Sequence, residues 1–269
     1  PVRSTTHRDM EPAPKQFIKV LRNPDIMRLV LSIMMLHLLL TTSFFALPIT
    51  LFEQAGLAKS EHAMAYLPVL ILAFIAMVPF IIIAEKRRKM KPVFIGSVIV
   101  LGLVQLVWAF FASSVTGILI GLWLFFTAFN ILEASLPSMM SKLSPLENKG
   151  TALGIYSTAQ FLGAFIGGAT GGFLYGQFGV TGVFIAGAII TVVWLFFVFP
   201  MNQPRHLSTK ILELPTLTEV NADEVAMQLN AIDGVVDTMI VASEQVAYVK
   251  YAPEELNLDE LDAFRVSSS

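Results

Sequence analysis

Six apolar stretches fill most of the first two hundred residues, at about 28–51, 63–84, 92–111, 116–140, 150–175 and 180–200. About 20 helical residues at ~1.5 Å each cross ~30 Å of hydrocarbon, so the pattern predicts six transmembrane helices. Pro48, Pro68, Pro79 and Pro137 fall inside these stretches and are read as kinks rather than ends. The leading segment, 1–27, is a polar linker containing a short helix. Lys15, Lys19 and Arg22 fall on one face of it and Phe17, Ile18 and Leu21 on the other. That pattern suits a helix lying on a membrane surface or packing on other protein. Asn23-Pro24 then makes a good helix start, with Asn as N-cap and Pro in the first helical position.

After Pro200 the pattern changes. A polar linker, 201–210, leads into a domain at 211–269 that begins with a strand over Ile211–Leu214. Asn221 with Glu224 resembles a capping box, opening a helix with Val225, Leu229 and Ile232 on one face, which Asp233-Gly234 stops. Val236–Ala242 and Val246–Tyr251 read as strands around a Ser243-Glu244-Gln245 turn, and Leu258, Leu261 and Phe264 mark a second helix. Strand, helix, strand, strand, helix is a ferredoxin-like unit without its final strand. The expected fold class is therefore an all-α membrane bundle of six transmembrane helices plus a small α+β ferredoxin-like domain.

Composition sharpens this picture. With 55% hydrophobic and 14% charged residues, the chain is far poorer in charge than soluble domains, where about a quarter is usual. There is no cysteine, so neither disulfides nor thiolate metal ligation is available. The sequence opens on Pro1 without a cleavable-signal pattern, as an interior segment of a longer protein would. Residues 1–210 carry 16 Lys and Arg against 8 Asp and Glu, whereas residues 211–269 carry 2 against 12. The two parts are thus bodies of opposite charge. Basic residues collect in the leading segment, after the second span (Lys86, Arg87, Arg88, Lys89, Lys91), after the fourth (Lys142, Lys149) and at the exit (Arg205, Lys210). Of the opposite loops, Lys59 alone is basic, so both ends are expected on the cytoplasmic side.

The candidate chemistry lies inside the spans. Glu133 is a carboxylate deep in an apolar stretch, where low dielectric disfavours ionisation and lets such a group bind and release a proton near neutral pH. Asn130, one turn earlier, would orient it, meet substrate, or simply bind helices together. His37 would join a proton relay or serve as a hydrogen-bonded packing residue, and Gln105 and Gln160 are similarly ambiguous. Ala159, Gly163, Gly167 and Gly171 form one small-residue row, and Ala164, Gly168, Gly172 and Gly176 a second beside it. Such rows permit close helix packing and sliding. Glu85, Lys86, Arg87 and Arg88 in the loop after the second span are either a topology signal or a latch. The histidines, His7, His37, His62 and His206, are scattered. No phosphate-cradling loop, nucleophile triad or metal cluster is present in the sequence, so neither an enzyme, a cofactor, a bound metal nor nucleic-acid binding is expected.

The run Asn130-Ile131-Leu132-Glu133-Ala134-Ser135-Leu136-Pro137-Ser138, the Lys149-Gly150-Thr151-Ala152-Leu153-Gly154 helix start and the glycine-rich helix after it resemble the C-terminal half of a major facilitator superfamily transporter. The resemblance covers residues 15–200. It implies a drug-efflux-type, proton-coupled carrier of the bacterial inner membrane, multi-pass, with a central cavity lined by the first, fourth and fifth spans. It also implies a complementary N-terminal six-helix half, membrane lipid and protons as partners, and a small-molecule substrate of unspecified identity moved by alternating access. Glu133 with His37 would then couple protons, and Asn130 with Gln160 would line the cavity. The loop Glu85–Met90 resembles the family's cytoplasmic signature between its eighth and ninth helices, with Ile81 and Arg88 standing where that signature has glycines and Glu85 where it has Asp.

The appended domain resembles the heavy-metal-associated fold. Its metal loop would be Pro215–Asn221, which holds neither cysteine nor histidine, so thiolate capture of copper or zinc is not expected. The acidic domain is instead expected to dock on the basic cytoplasmic loops, with an ion, a metabolite or another protein copy as further ligands. The alternative to a carrier is a membrane-anchored sensor or scaffold whose cytoplasmic domain does the work.

Overall fold

The computed structural model describes residues 14–202, 207–215, 217–218, 221–256 and 261. Residues 1–13 of the leading linker, Arg205 and His206 of the second linker, part of the loop 215–221, and Leu258 and Phe264 of the expected second helix lie outside the described residues. The chain forms two compact units. One is Leu21–Met140 with Leu153–Gln203, and the other gathers the described parts of 1–20, 141–152 and 204–269.

The first unit is helical. After α1 (Pro14–Leu21), which but for Leu21 belongs to the other unit, comes α2 (Pro24–Glu53), whose start is fixed as the sequence leads one to expect. The Asn23 side chain accepts from the backbone N–H of Asp25 at 3.0 Å and of Ile26 at 3.3 Å, and Pro24 opens the helix. Then follow α3 (His62–Lys86), α4 (Met90–Phe111), α5 (Val115–Leu143) and α6 (Lys149–Val198). The four span prolines lie within helices, Pro48 in α2, Pro68 and Pro79 in α3, Pro137 in α5.

Among the described residues five helices are long and apolar enough to cross a membrane, against the six stretches of the sequence pattern. The difference lies in α6, where the fifth and sixth stretches run on as 50 residues with no loop between them. A helix of that length would be ~75 Å long, over twice the hydrocarbon thickness. Its continuity is broken at one residue, Gly179, with φ 65° and ψ −169°. Only glycine is at ease in that region, so a single residue separates 149–178 from 180–198.

The glycine rows of α6 part company. A side chain at Gly163 would strike the Met34 backbone, one at Gly167 the Leu38 carbonyl and Thr41, and one at Gly171 Thr42 and Phe45. This row therefore lies against α2. Thr41 Oγ1 donates to the Ala164 carbonyl at 3.0 Å and Thr42 Oγ1 to the Gly167 carbonyl at 3.0 Å, stitching the two helices. The second row is open: nothing approaches Gly168 or Gly176 within 4 Å, and Gly172 meets only the Phe45 ring. Elsewhere Gln105 Nε2 of α4 donates to Ser43 Oγ of α2 at 2.6 Å, and Trp194 Nε1 to Ser32 Oγ at 3.0 Å. Trp108 packs between Phe125 and Phe184, with ring centroids 5.6 and 5.4 Å away.

The second unit contains β1 (Ser208–Glu213), α7 (Ala222–Asn230), β2 (Val235–Val241) and β3 (Val246–Tyr251). β1 starts three residues before the expected Ile211, at Ser208. The sheet order is β1-β3-β2 with both pairings antiparallel, so the third strand sits between the first two. This split order is consistent with a ferredoxin-like unit. Leu212, Leu214, Leu229, Ala247, Val249 and Leu261 form its core. The expected capping box at Asn221 is not formed. The Asn221 side chain makes no cap bond and instead accepts from Thr218 N–H at 2.7 Å and Thr218 Oγ1 at 3.1 Å, closing the turn that precedes the helix.

In the same unit the sheet meets residues 141–152. Lys250 Nζ donates to the carbonyls of Ser144 at 2.9 Å and Ser141 at 3.4 Å, and Asp237 Oδ2 accepts from the Leu146 N–H at 2.8 Å.

Candidate functional site

The row Gly163, Gly167 and Gly171 places α6 so close to α2 that the polar residue on the next turn up, Gln160, meets His37. The Gln160 Nε2 amide nitrogen stands 2.9 Å from His37 Nε2 and 3.3 Å from Glu133 Oε1. One side-chain amide with two protons thus bridges an imidazole on α2 and a carboxylate on α5. His37 Nδ1 lies 3.2 Å from the Ile33 carbonyl, a group that can only accept. With its ring proton on Nδ1, His37 donates to the Ile33 carbonyl and accepts from Gln160 at Nε2.

Glu133 keeps one oxygen uncommitted. Its side chain is 36% exposed, yet Oε2 is enclosed without a hydrogen-bond partner, 3.8 Å from His37 Nε2. The contact becomes an ion pair only when the imidazole is protonated. Phe129, one turn before Glu133, stands edge-on to His37 at 5.8 Å and walls the cluster with apolar surface. Tyr156, one turn before Gln160, is buried with its hydroxyl unpartnered. An enclosed carboxylate oxygen, an imidazole and a bridging amide thus meet where α2, α5 and α6 come together.

Of the residues singled out from the sequence, the structure brings together Glu133, His37 and Gln160. Asn130 lies half-buried one turn before Glu133, and no hydrogen bond from it to the cluster is found among the described residues. Gln105 is a packing residue on Ser43. In the loop after α3, Ser138 Oγ of α5 donates to Glu85 Oε1 at 2.9 Å, tying the end of α3 to α5, while the side chains of Lys86, Arg87 and Arg88 reach solvent. Arg88 takes the left-handed backbone that glycine favours, with φ 55°. Tyr156 escaped the sequence reading, although a tyrosine four residues before a membrane Gln is the signal that marks it.

Long apolar helices, with a polar cluster of Glu133, His37 and Gln160 where three of them meet, mark a multi-pass membrane protein. Residues 13–239 match the Major Facilitator Superfamily, and the chain belongs to that family. It is 41% identical over 246 residues to the inner membrane transport protein YajR of Escherichia coli (strain K12), covering 91% of this chain and 54% of that protein. It is 27% identical over 179 residues to an uncharacterized transporter of Buchnera aphidicola subsp. Baizongia pistaciae (strain Bp), covering 66% and 45% respectively. Uncharacterized transporter BU466 of Buchnera aphidicola subsp. Acyrthosiphon pisum (strain APS) is 28% identical over 153 residues, covering 57% and 39%. The chain spans about half the length of the curated relatives it matches.

Proposed function

We propose that the chain is the C-terminal half of a proton-coupled secondary transporter that exports a small molecule by alternating access, with Glu133 as the proton-carrying group. The observation that carries this reading is the Gln160 amide donating to both His37 and Glu133. With His37 neutral, Gln160 holds the carboxylate and imidazole apart. A proton arriving at His37 Nε2 ends its role as acceptor from Gln160 and turns it toward the free Glu133 Oε2. A proton on Glu133 removes that attraction. The cluster thus exchanges hydrogen bonds as it loads and unloads, which gives alternating access a local trigger.

In this reading α6 crosses the membrane twice, breaking at Gly179, so the half has six spans with both ends in the cytoplasm of a bacterial inner membrane. The name of one relative, the inner membrane transport protein YajR, supports the location. A second six-helix half would complete the substrate path.

The test is difference infrared spectroscopy of the reconstituted transporter as pH is stepped. A carboxyl band that appears on acidification and is lost in Glu133→Gln is expected. A band unchanged in Glu133→Gln removes Glu133 from the mechanism.

A further inference from the structure

Asp237 and Lys250 are direct partners across the antiparallel pair β2–β3, and each also reaches an end of a helix. α5 stops at Leu143, where, as at any helix end, the last carbonyls have no donor further along the helix. Lys250 Nζ supplies the Ser144 carbonyl at 2.9 Å and the Ser141 carbonyl at 3.4 Å. The next segment opens with a single helical turn over Leu146–Asn148, leading into α6 at Lys149, and Asp237 accepts its first N–H at 2.8 Å. A cation at the closing helix end and an anion at the opening one are the signs each terminus favours.

The strand itself is built for this contact. Ala247 and Val249 of β3 point into the core, so by alternation Lys250 belongs to the opposite face, yet it is only 6% exposed. A lysine buried there is costly unless its ammonium is hydrogen-bonded. Lys250 is one of two basic residues in a stretch, 211–269, that carries 12 acidic ones. A general attraction between an acidic domain and basic loops does not call for a buried lysine. A specific fastening does.

We propose that Asp237 and Lys250 form a clasp through which the C-terminal domain sets the geometry of the α5–α6 turn, and with it the relation of the two helices that carry Glu133 and Gln160. Closing the clasp fixes how α5 hands over to α6. Opening it frees the two helices to change their crossing, and with it the reach of Gln160. The domain is then a governor of the transport cycle. The consequence for transport rests on the function proposed above, whereas the clasp itself does not.

The test uses the full-length transporter in membranes with a single cysteine at Ser157, an exposed position on α6 three residues before Gln160, labelled by a membrane-impermeant maleimide. Both Lys250→Met and Asp237→Asn are expected to shift the labelling rate by about fivefold or more, the low end of couplings between distant sites. Asp223→Asn, which removes an exposed acidic charge away from the clasp, is expected to leave it unchanged. Wild-type labelling in Asp237→Asn, in protein of wild-type size-exclusion profile, overturns the proposal, as does an equal shift in Asp223→Asn. If Lys250→Met does not fold, the near-isosteric Asp237→Asn carries the test. Labelling requires neither substrate nor proton gradient, so its outcome is independent of the infrared result on Glu133.

Discussion

His37 and Gln160 approach nitrogen to nitrogen, 2.9 Å apart, from helices 123 residues distant in sequence. Two nitrogens at that separation fix the direction of the bond. The amide nitrogen only donates, so the contact is a hydrogen bond on the His37 tautomer whose Nε2 is bare.

Gln160→Leu tests what this bridge holds. It leaves His37 Nε2 and Glu133 Oε1 without their donor while keeping an apolar side chain of similar length. An orphaned buried polar group costs about 1–3 kcal/mol, so the thermal midpoint in detergent is expected to fall. Gln160→Leu combined with Glu133→Leu removes the carboxylate as well and is expected to recover part of the loss. A double variant no more stable than the single one would mean that Gln160 is not holding Glu133.

Gly167 and Gly168 are neighbours with opposite surroundings. A methyl group at 167 meets the backbone carbonyl of Leu38 and Thr41 Oγ1, while one at 168 meets nothing within 4 Å. Gly167→Ala forces α6 off α2, an overpacking that costs about 1–3 kcal/mol, and also lengthens the His37–Gln160 contact. Gly168→Ala is expected to be neutral, or stabilising by up to ~1 kcal/mol through helix propensity. Paired thermal midpoints decide it: equal losses at the two positions would mean that the open row is also covered in the assembled transporter.

The sequence and the structure diverge in instructive places. Glu133, His37 and Gln160 are each visible as polar residues in apolar spans, because any such residue in hydrocarbon stands out. Their meeting is not visible, since it depends on which helix the Gly163 row faces, and periodicity marks a face without naming its partner. The sixth apolar stretch is legible from hydropathy, but its junction with the fifth is not: a one-residue break leaves no polar loop to read, and Gly179 is one glycine among 17. Asp237 looks like any other acid of a strongly acidic domain. Lys250 was the available clue there, a lone lysine in a strand whose neighbours alternate into the core.

At Gly179 the backbone itself makes the prediction. Its φ of 65° with ψ of −169° lies in a region that side chains exclude, so Gly179→Ala is expected to cost about 1–3 kcal/mol. Space is not the reason, since nothing lies within 4 Å of the missing Cβ. Unfolding of Gly179→Ala beside Gly176→Ala, an equally open position with ordinary helical backbone, isolates the conformational cost. A Gly179→Ala variant as stable as Gly176→Ala would show that α6 does not break there.

Burial holds Lys250 below the ordinary lysine value of 10.5, aided by the nearby charge of Lys149 and opposed by Asp237. The folded chain then releases this proton at a lower pH than the unfolded chain does. Between the folded value and 10.5 the unfolded chain binds more protons, so the contribution of Lys250 to stability grows as pH rises through that window and levels off above it. Asp237→Asn removes the opposing charge, lowers the folded value further and widens the window toward neutral pH. Thermal midpoints measured against pH for the wild type, Asp237→Asn and Lys250→Met should show this. The wild-type advantage over Lys250→Met should increase toward alkaline pH, and the rise should begin earlier in the Asp237→Asn background. Parallel curves for all three would place Lys250 in water, free of the α5–α6 turn.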